Sequence, residues 1–74
     1  MKEQLYKLLE SKALLEKEEA ITTFKLMTEH PAGIGDHSTG DFYKNAEEAL
    51  QKLVDADDKI YCLENYKSQL FTDK

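Results

Sequence analysis

The stretch EHPAGIGDHSTGDF at positions 29–42 contains both histidines, all three glycines and the single proline of this 74-residue chain. Imidazoles, hydroxyls and glycine-shaped backbone amides are groups that bind anions, coordinate metals or transfer protons. The segments on either side are rich in Leu, Glu, Lys and Ala and contain neither Gly nor Pro. Any site chemistry is therefore expected in this connector.

A small anion, such as a phosphorylated ligand, fits the residue types of the connector. The glycines would supply exposed backbone amides, the histidine and two hydroxyls would donate hydrogen bonds, and a helix amino end favours negative charge. A lysine adds positive charge, and a neighbouring tyrosine could stack on a nucleobase. Against this, Asp36 and Asp41 repel anions and no GxxxxGK[ST] pattern is present. The predicted ligand-binding residues are Gly33, Gly35, His37, Ser38, Thr39, Tyr43 and Lys44.

Two other interpretations of the connector stay open. In the first it is only a turn, in which Pro31 ends one helix, the glycines shape the backbone and Ser38 caps the next helix. In the second it holds zinc or manganese, whose preferred ligand types are present in the connector. The candidate ligands are His30, Asp36, His37 and Asp41. Their spacing matches no ligand pair on one helix face, and we predict no bound metal or cofactor.

The sequence supports catalysis less than it supports ligand binding. Cys62 would lie far along the second helix from either histidine, so a Cys–His nucleophile would need contact between subunits. The acidic clusters are typical of solvated helix faces, and Tyr6, Tyr61 and Tyr66 are expected to be packing residues. We therefore predict that the protein is not an enzyme.

The overall charge argues against binding to long polyanions or membranes. The chain carries 15 acidic and 10 basic residues, a net charge of −5, and the two signs are mixed rather than segregated. Duplex-binding proteins usually present a basic stripe, and no segment approaches the roughly 20 apolar residues that span a bilayer. One cysteine without a secretory signal predicts a soluble protein of the reducing cytoplasm.

The first flanking segment, about residues 2–29, is predicted to be helical. At about 100° per residue its apolar side chains form three stripes, which is more than one neighbouring helix can cover. The stripes are Leu5, Leu9, Ala13, Ala20, Phe24 and Met27, with Tyr6 at the border; Leu8, Leu15 and Leu26; and Leu14 with Ile21. The stretch EKEE at 16–19 makes a bend or break possible.

The second flanking segment, about residues 41–71, shows a heptad seam with alternating spacings of 4 and 3 residues. Its positions are Phe42, Ala46, Ala49, Leu53, Ala56, Ile60, Leu63, Lys67 and Leu70. Leu50, Val54 and Tyr61 lie beside the seam and widen it. The aspartates of DADD are poor helix formers, so their place in mid-helix is a local inconsistency.

Two such helices joined by residues 30–40 predict an all-α fold with one domain, a long antiparallel helical hairpin. A single hairpin would leave several Leu and Ile side chains in water, which a marginally stable protein does not tolerate. We therefore predict a homo-oligomer forming a helical bundle. The alternative is a monomer in which the first helix folds into two pieces around a three-helix core.

The connector pattern HPAGIGDH between two charged helices resembles very small proteins of tailed bacteriophages. The architecture is also similar to the helical-hairpin sponge proteins with which phages sequester cyclic nucleotide signals of bacterial immunity. The resemblance implies a phage origin, the host cytoplasm, and an oligomer that binds a small phosphorylated ligand without chemistry. The alternative is a protein–protein interaction module that binds a host protein, with the connector as a rigid tip and the heptad seam as the docking surface.

Overall fold

A computed structural model describes residues 2–29 and 39–71, and for Thr39 and Gly40 it describes the backbone only. Helix α1 spans Lys2–Glu29, α2 spans Thr39–Asn65 and the short α3 spans Lys67–Phe71. Within these two ranges the chain is helical apart from a bend at Tyr66 and contains no strand. The all-α prediction is confirmed.

Helix α1 is continuous through the glutamate-rich stretch at 16–19. The alternative with a first helix in two pieces is therefore wrong. Two side chains of this stretch make ion pairs with α2: Glu16 with Lys59, and Lys17 with Asp57. Because opposite charges on α2 face the stretch, its polar residues contact the neighbouring helix and do not break α1.

Helix α2 continues through the aspartates that the sequence made doubtful. The Gln51 side chain donates a hydrogen bond to Asp55, one turn further on, at 2.9 Å. Asp57 lies 3.4 Å from the ammonium group of Lys17 on α1. These aspartates thus have partners outside their own backbone, so the local competition that makes Asp a poor helix former is reduced.

The second helix does not run unbroken to residue 71, because the chain bends at Tyr66. The Asn65 side-chain amide donates a hydrogen bond of 2.8 Å to the Tyr61 carbonyl, an acceptor of the helix ladder. The seam prediction is therefore wrong at Leu70, which is 59% exposed, and Phe71 turns inward in its place. Lys67 is exposed, but its ammonium group lies over the Tyr6 ring.

Helices α1 and α2 contact each other at several points along their lengths. The Tyr6 ring contacts Phe71, and the ammonium group of Lys59 donates a hydrogen bond to Glu16 at 3.1 Å. Residues near the start of α1 thus contact residues near the end of the chain, and the middles of the two helices contact each other. These contacts set the register, in which residue numbers on facing helices add to about 75.

The interface between the two helices is built from residues seven positions apart. On α1 the buried residues are Tyr6, Ala13, Ala20 and Met27; on α2 they are Ala49, Ala56 and Leu63. The seam on α2 is confirmed from Phe42 to Leu63, since all of its positions in that range are buried or half-buried. Four of the seven buried residues are alanines, and small side chains allow two helix backbones to approach closely.

The main stripe predicted for α1 is correct at Ala13, Ala20 and Met27. It is wrong at Leu5, Leu9 and Phe24, which are 46%, 39% and 36% exposed. Tyr6, expected at the border, is buried. A stripe drawn at 3.6 residues per turn drifts by about 20° per heptad against a strict seven-residue repeat. Because α2 follows the seven-residue repeat, it covers Tyr6 and leaves Leu5 and Leu9 at the edge.

Candidate interaction surface

Most of the large apolar side chains that the structure describes face outward. Thirteen of them are exposed among the described residues, while no large side chain there is completely buried. The exposed residues are Leu5, Leu8, Leu9, Leu14, Leu15, Phe24, Leu26, Tyr43, Leu50, Val54, Tyr61, Tyr66 and Leu70. Singly exposed apolar residues are ordinary, but contiguous ones indicate an interaction site. Their arrangement around the helix pair is therefore informative.

One ion pair shows which exposed residues share a side. Lys17 on α1 contacts Asp57 on α2, and helical residues three or four apart lie on the same face. Leu14 and Ile21 therefore flank Lys17, while Val54 and Tyr61 flank Asp57. One turn beyond Val54 lies another exposed leucine of α2. We call the set Leu14, Ile21, Leu50, Val54 and Tyr61 the apolar face; Ile21 is half-buried and the other four are exposed.

A pattern in the sequence distinguishes the α2 part of this face from the heptad seam. Tyr43, Leu50, Val54 and Tyr61 are spaced by 7, 4 and 7 residues, which is a second heptad stripe beside the first. The sequence predicts Leu50, Val54 and Tyr61 as part of a widened seam and Tyr43 as part of the ligand site. The structure places them outside the helix–helix contact, with exposures of 62%, 51%, 45% and 61%.

The opposite side of the helix pair is polar. The Glu16–Lys59 pair lies there, in an open groove of about 560 Å³ between α1 and α2. Its polar lining is Glu16, Glu19, Thr23, Asn45, Glu48, Lys52, Asp55 and Lys59. Four carboxylates against two ammonium groups make this groove unsuitable for an anionic ligand.

A smaller groove of about 420 Å³ lies on that side near the chain ends. It is lined mainly by apolar atoms, including those of Leu9, Leu63 and Leu70, and the exposed Cys62 sits beside them. The remaining stripe, Leu8, Leu15 and Leu26, runs along the outer surface of α1. That stripe is one helix wide, whereas the apolar face draws on both helices.

The chain ends are held together by an aromatic contact. The Tyr6 and Phe71 rings meet edge to face, with centroids 5.3 Å apart, and the Lys67 ammonium group lies 4.5 Å above the Tyr6 ring centre. Burial raises the pKa of the Tyr6 phenol, and the carboxylates of Glu10, Glu64 and Glu3 raise it further. The phenol also donates a hydrogen bond of 3.4 Å to Glu10, so the neutral phenol is the favoured form.

The predicted ligand-binding residues are described in part. Gly33, Gly35, His37 and Ser38 lie outside the described residues, and Thr39 begins α2 with its side chain undescribed. Tyr43 and Lys44 are both exposed near the start of α2, where Tyr43 contacts the Phe42 ring at 5.9 Å. Adjacent helical residues point about 100° apart, so the structure does not bring their side chains together.

Most residues of the candidate metal site also lie outside the described residues. The possible metal ligands His30, Asp36 and His37 lie outside the described residues, and within 2–29 and 39–71 no cluster of three metal-ligand side chains occurs. Of the three tyrosines expected to pack, Tyr6 is buried, whereas Tyr61 and Tyr66 are exposed at 61% and 47%. None of the described helices combines the length and apolarity required to cross a bilayer.

No family of known proteins, no curated protein and no solved structure matches this chain. Similarity to other proteins therefore assigns no role to any of its residues. The surfaces described above, and above all the apolar face, are the features from which a function can be argued.

Proposed function

We propose that this chain is a helical hairpin that assembles with copies of itself into an oligomeric helical bundle and acts as a non-enzymatic binding protein. One observation supports the proposal above all others: the helix pair buries alanines and leaves most of its leucines exposed. Ala13, Ala20, Ala49 and Ala56 are at most 4% exposed, whereas Leu8 is 64% exposed. An isolated two-helix protein would be expected to do the reverse.

The extent of the surface supports the same conclusion. A compact monomer of 8.5 kDa exposes about 4,700 Å², whereas this chain exposes 5923 Å². Its radius of gyration is 16.4 Å, against about 11 Å for a compact domain of 74 residues. The molecule is a rod of 54 × 16 × 14 Å with surface that further copies could cover.

Energetics give the reason why copies would associate. Fully burying a leucine side chain contributes roughly 1.5–3 kcal/mol, and alanine contributes far less. A two-layer contact built mainly on alanines therefore supplies little of the 5–15 kcal/mol that typical folded proteins retain. Covering part of the exposed leucines in an oligomer would supply the remainder, and small domains commonly gain stability in this way.

Sedimentation equilibrium between about 1 and 100 µM tests the proposal. We expect a mass that is a multiple of 8.5 kDa and a melting temperature that rises with protein concentration, since association stabilises the folded state by mass action. A mass of 8.5 kDa throughout that range, with a melting temperature independent of concentration, would contradict it.

The second candidate function is the binding of a small anionic ligand, such as a nucleotide or cyclic nucleotide, at the start of α2. The residue types support it, since the exposed Tyr43 ring could stack on a base and the exposed Lys44 ammonium group could neutralise charge, although the two side chains point about 100° apart on the helix. The ligand class and a bacteriophage origin come from the resemblance and stay predictions. Thermal-shift measurements with nucleotides and cyclic dinucleotides test this candidate. Stabilisation is expected for the native chain and not for Lys44→Glu, and no stabilisation by any of them would refute it.

The alternative, in which the chain binds a host protein, requires a different docking surface. The heptad seam proposed as its docking surface packs against α1 in the described residues, which argues against that surface as the site of a partner. A partner protein would have to bind one of the exposed faces. The pull-down that tests this alternative should therefore compare the native chain with variants of the apolar face.

A further inference from the structure

The buried residues of the two long helices form matched rows in which successive members are seven positions apart. The rows are Ala49, Ala56 and Leu63 on α2, facing Met27, Ala20, Ala13 and Tyr6 on α1. Ala13 and Leu63 line the same groove, which places the ends of the rows together. The next position of the α2 row is Leu70. Continued by one heptad, the rows would therefore bring Leu70 onto Tyr6.

The bend at Tyr66 gives Tyr6 a different partner. The Tyr66 N–H still donates a hydrogen bond to a carbonyl of α2, at 2.9 Å. The Tyr66 carbonyl accepts the first hydrogen bonds of α3, from the N–H groups of Gln69 at 3.0 Å and Leu70 at 2.9 Å. Beyond this residue Phe71 packs on the Tyr6 ring, and Leu70 lines an open groove with 59% of its surface exposed. Leu70 and Phe71 thus compete for one place on Tyr6.

Lys67 is the residue that opposes a continuous second helix. In a straight α2 it would follow Leu53 and Ile60 at intervals of seven, in the row of seam positions that are half-buried. A charge taken out of water beside an apolar contact is costly. In the bent chain Lys67 is exposed, and its ammonium group lies 4.5 Å above the Tyr6 ring centre in a cation–π contact. The charge of Lys67 therefore favours the bend.

The bent packing is only weakly secured by its other contacts. None of the residues of α3 is buried, and Phe71 is half-buried. A helix of five residues has little stability of its own, so packing must hold it in place. A straight α2 would bury Leu70 next to Leu63 and extend an existing helix, which avoids the cost of starting a new one. Each packing covers Tyr6 and leaves a different apolar residue exposed.

We propose that residues 67–71 are a two-position conformational switch hinged at Tyr66. In the bent position Phe71 packs on Tyr6, as in the structure. In the straight position α2 continues through the hinge and Leu70 replaces Phe71 on Tyr6. The charge of Lys67 holds the bent position. This inference goes beyond the proposed self-assembly and does not depend on it, since every contact involved lies within one chain.

The switch changes the apolar surface at this end of the rod. In the bent position Leu70 lines the groove of about 420 Å³ together with Leu9 and Leu63. Straightening moves Leu70 from the groove into the helix–helix contact and releases the Phe71 ring. The groove loses one of its walls, and an aromatic side chain becomes accessible in its place. Anything that binds one of these surfaces better than the other shifts the equilibrium between the two positions.

Nuclear magnetic resonance of the isotope-labelled full chain tests the switch. Lys67→Leu completes the seam, so the Cα shifts should become helical through Tyr66. The intensity ratio of Tyr6–Leu70 to Tyr6–Phe71 cross-peaks should rise at least about tenfold, since a charge no longer opposes the straight position. Phe71→Ala removes the anchor of the bent position and should also produce contacts between the Tyr6 ring and the Leu70 methyl groups. A Lys67→Leu chain that keeps the bend and the Tyr6–Phe71 contact would overturn the proposal.

Two further variants show whether the seam causes the change. Gln69→Leu places the same new side chain at an exposed position of α3 outside the seam and should keep the bend. The double variant Lys67→Leu/Leu70→Asn lacks the leucine that the straight position buries and should return to the bend. If Gln69→Leu straightens the helix as much as Lys67→Leu, or if the double variant stays straight, Leu70 does not compete for Tyr6 and the proposal fails. A monomeric mass would contradict self-assembly and leave this inference standing.

Discussion

Tyr6 and Phe71 meet edge to face with their ring centroids 5.3 Å apart and their planes at 83°, and this contact links the first turns of α1 to the last residue of α3. Tyr6 is the only large aromatic residue buried among the described residues, at 8% exposure. The Lys67 ammonium group covers the other part of the ring at 4.5 Å. The two ends of the described chain are therefore held by packing rather than by a covalent link.

Removing the Tyr6 ring should destabilise the fold more than any single exposed leucine does. Tyr6→Ala is expected to lower the free energy of unfolding by about 3 kcal/mol, and Phe71→Ala by less, since Phe71 is only half-buried. The coupling between the two in a double-mutant cycle should be about 0.5–1.5 kcal/mol. Urea denaturation measures all three values. Leu8→Ala is the matched control on the outer surface of α1; a larger loss there than at Tyr6 would contradict the described packing.

Enlarging an alanine of the helix–helix contact should separate the two helices. Ala56→Leu adds a branched side chain where the native residue has no exposed surface. Overpacking of this kind costs about 1–3 kcal/mol. Gln51→Leu, on the exposed side of the same helix, should change the stability by no more than about 0.5 kcal/mol. If thermal denaturation shows equal effects for the two variants, the alanine seam does not determine the spacing of the helices.

Alkaline pH should weaken the contact at the chain ends. The pKa of Tyr6 is raised by burial and by Glu10, Glu64 and Glu3, so the folded chain holds the phenol proton more tightly than the unfolded chain. The stabilisation is complete below the ordinary tyrosine pKa of about 10 and is lost as the pH rises through the higher folded value. Stability measured by urea denaturation should therefore fall above about pH 10.

Replacing the Tyr6 phenol tests whether its ionisation causes the loss of stability at alkaline pH. Tyr6→Phe retains the ring and its contact with Phe71 but removes the ionisable group, so its stability should decline less in the same pH range. Tyr61→Phe, whose ring is 61% exposed, serves as the control and should follow the native curve. Absorbance at 295 nm follows the ionisation of the phenols directly. Coincident pH curves for the native chain and Tyr6→Phe would count against the raised pKa.

A charge on the apolar face should prevent assembly without unfolding the chain. Val54→Glu is expected to shift the sedimentation mass toward 8.5 kDa at concentrations at which the native chain associates, because burying an unpaired carboxylate in an interface is costly. Leu15→Glu, on the outer stripe of α1, is the matched control and should leave the association of the chain unchanged. Dissociation by Leu15→Glu alone would assign the interface to the other stripe.

Much of the fold could be predicted from the sequence, because the spacing of apolar residues along a helix shows which of its sides is buried. The absence of Gly and Pro from residues 2–29 and the 4–3 spacing from Phe42 to Leu63 predicted the two long helices and the buried side of the second. The three apolar stripes of the first helix likewise predicted that a single neighbour leaves leucines exposed. These features depend on local composition and period, which a sequence states directly.

The prediction failed where the outcome depended on the partner helix. The periodicity of α1 predicts Leu5 and Leu9 in the contact and Tyr6 at its border. In the structure Leu5 and Leu9 are exposed and Tyr6 is buried, because α2 follows a strict seven-residue repeat and Phe71 packs on the Tyr6 ring. The spacing predicts Leu50, Val54 and Tyr61 as part of a wider seam, whereas all three are exposed, because spacing alone does not show how far round a helix its neighbour reaches. The predicted ligand site lies mostly outside the described residues, so its test belongs to the binding measurements.

The sequence by itself determined the helical class, the approximate helix bounds and the excess of apolar surface, since each follows from residue type and period along one chain. Only the tertiary structure decided which of the competing stripes faces inward and where the second helix bends. It also placed the Lys17–Asp57 and Glu16–Lys59 pairs on opposite sides of the rod. The physical reason is that register and rotation are set by contacts between residues about forty positions apart, and no local pattern contains them.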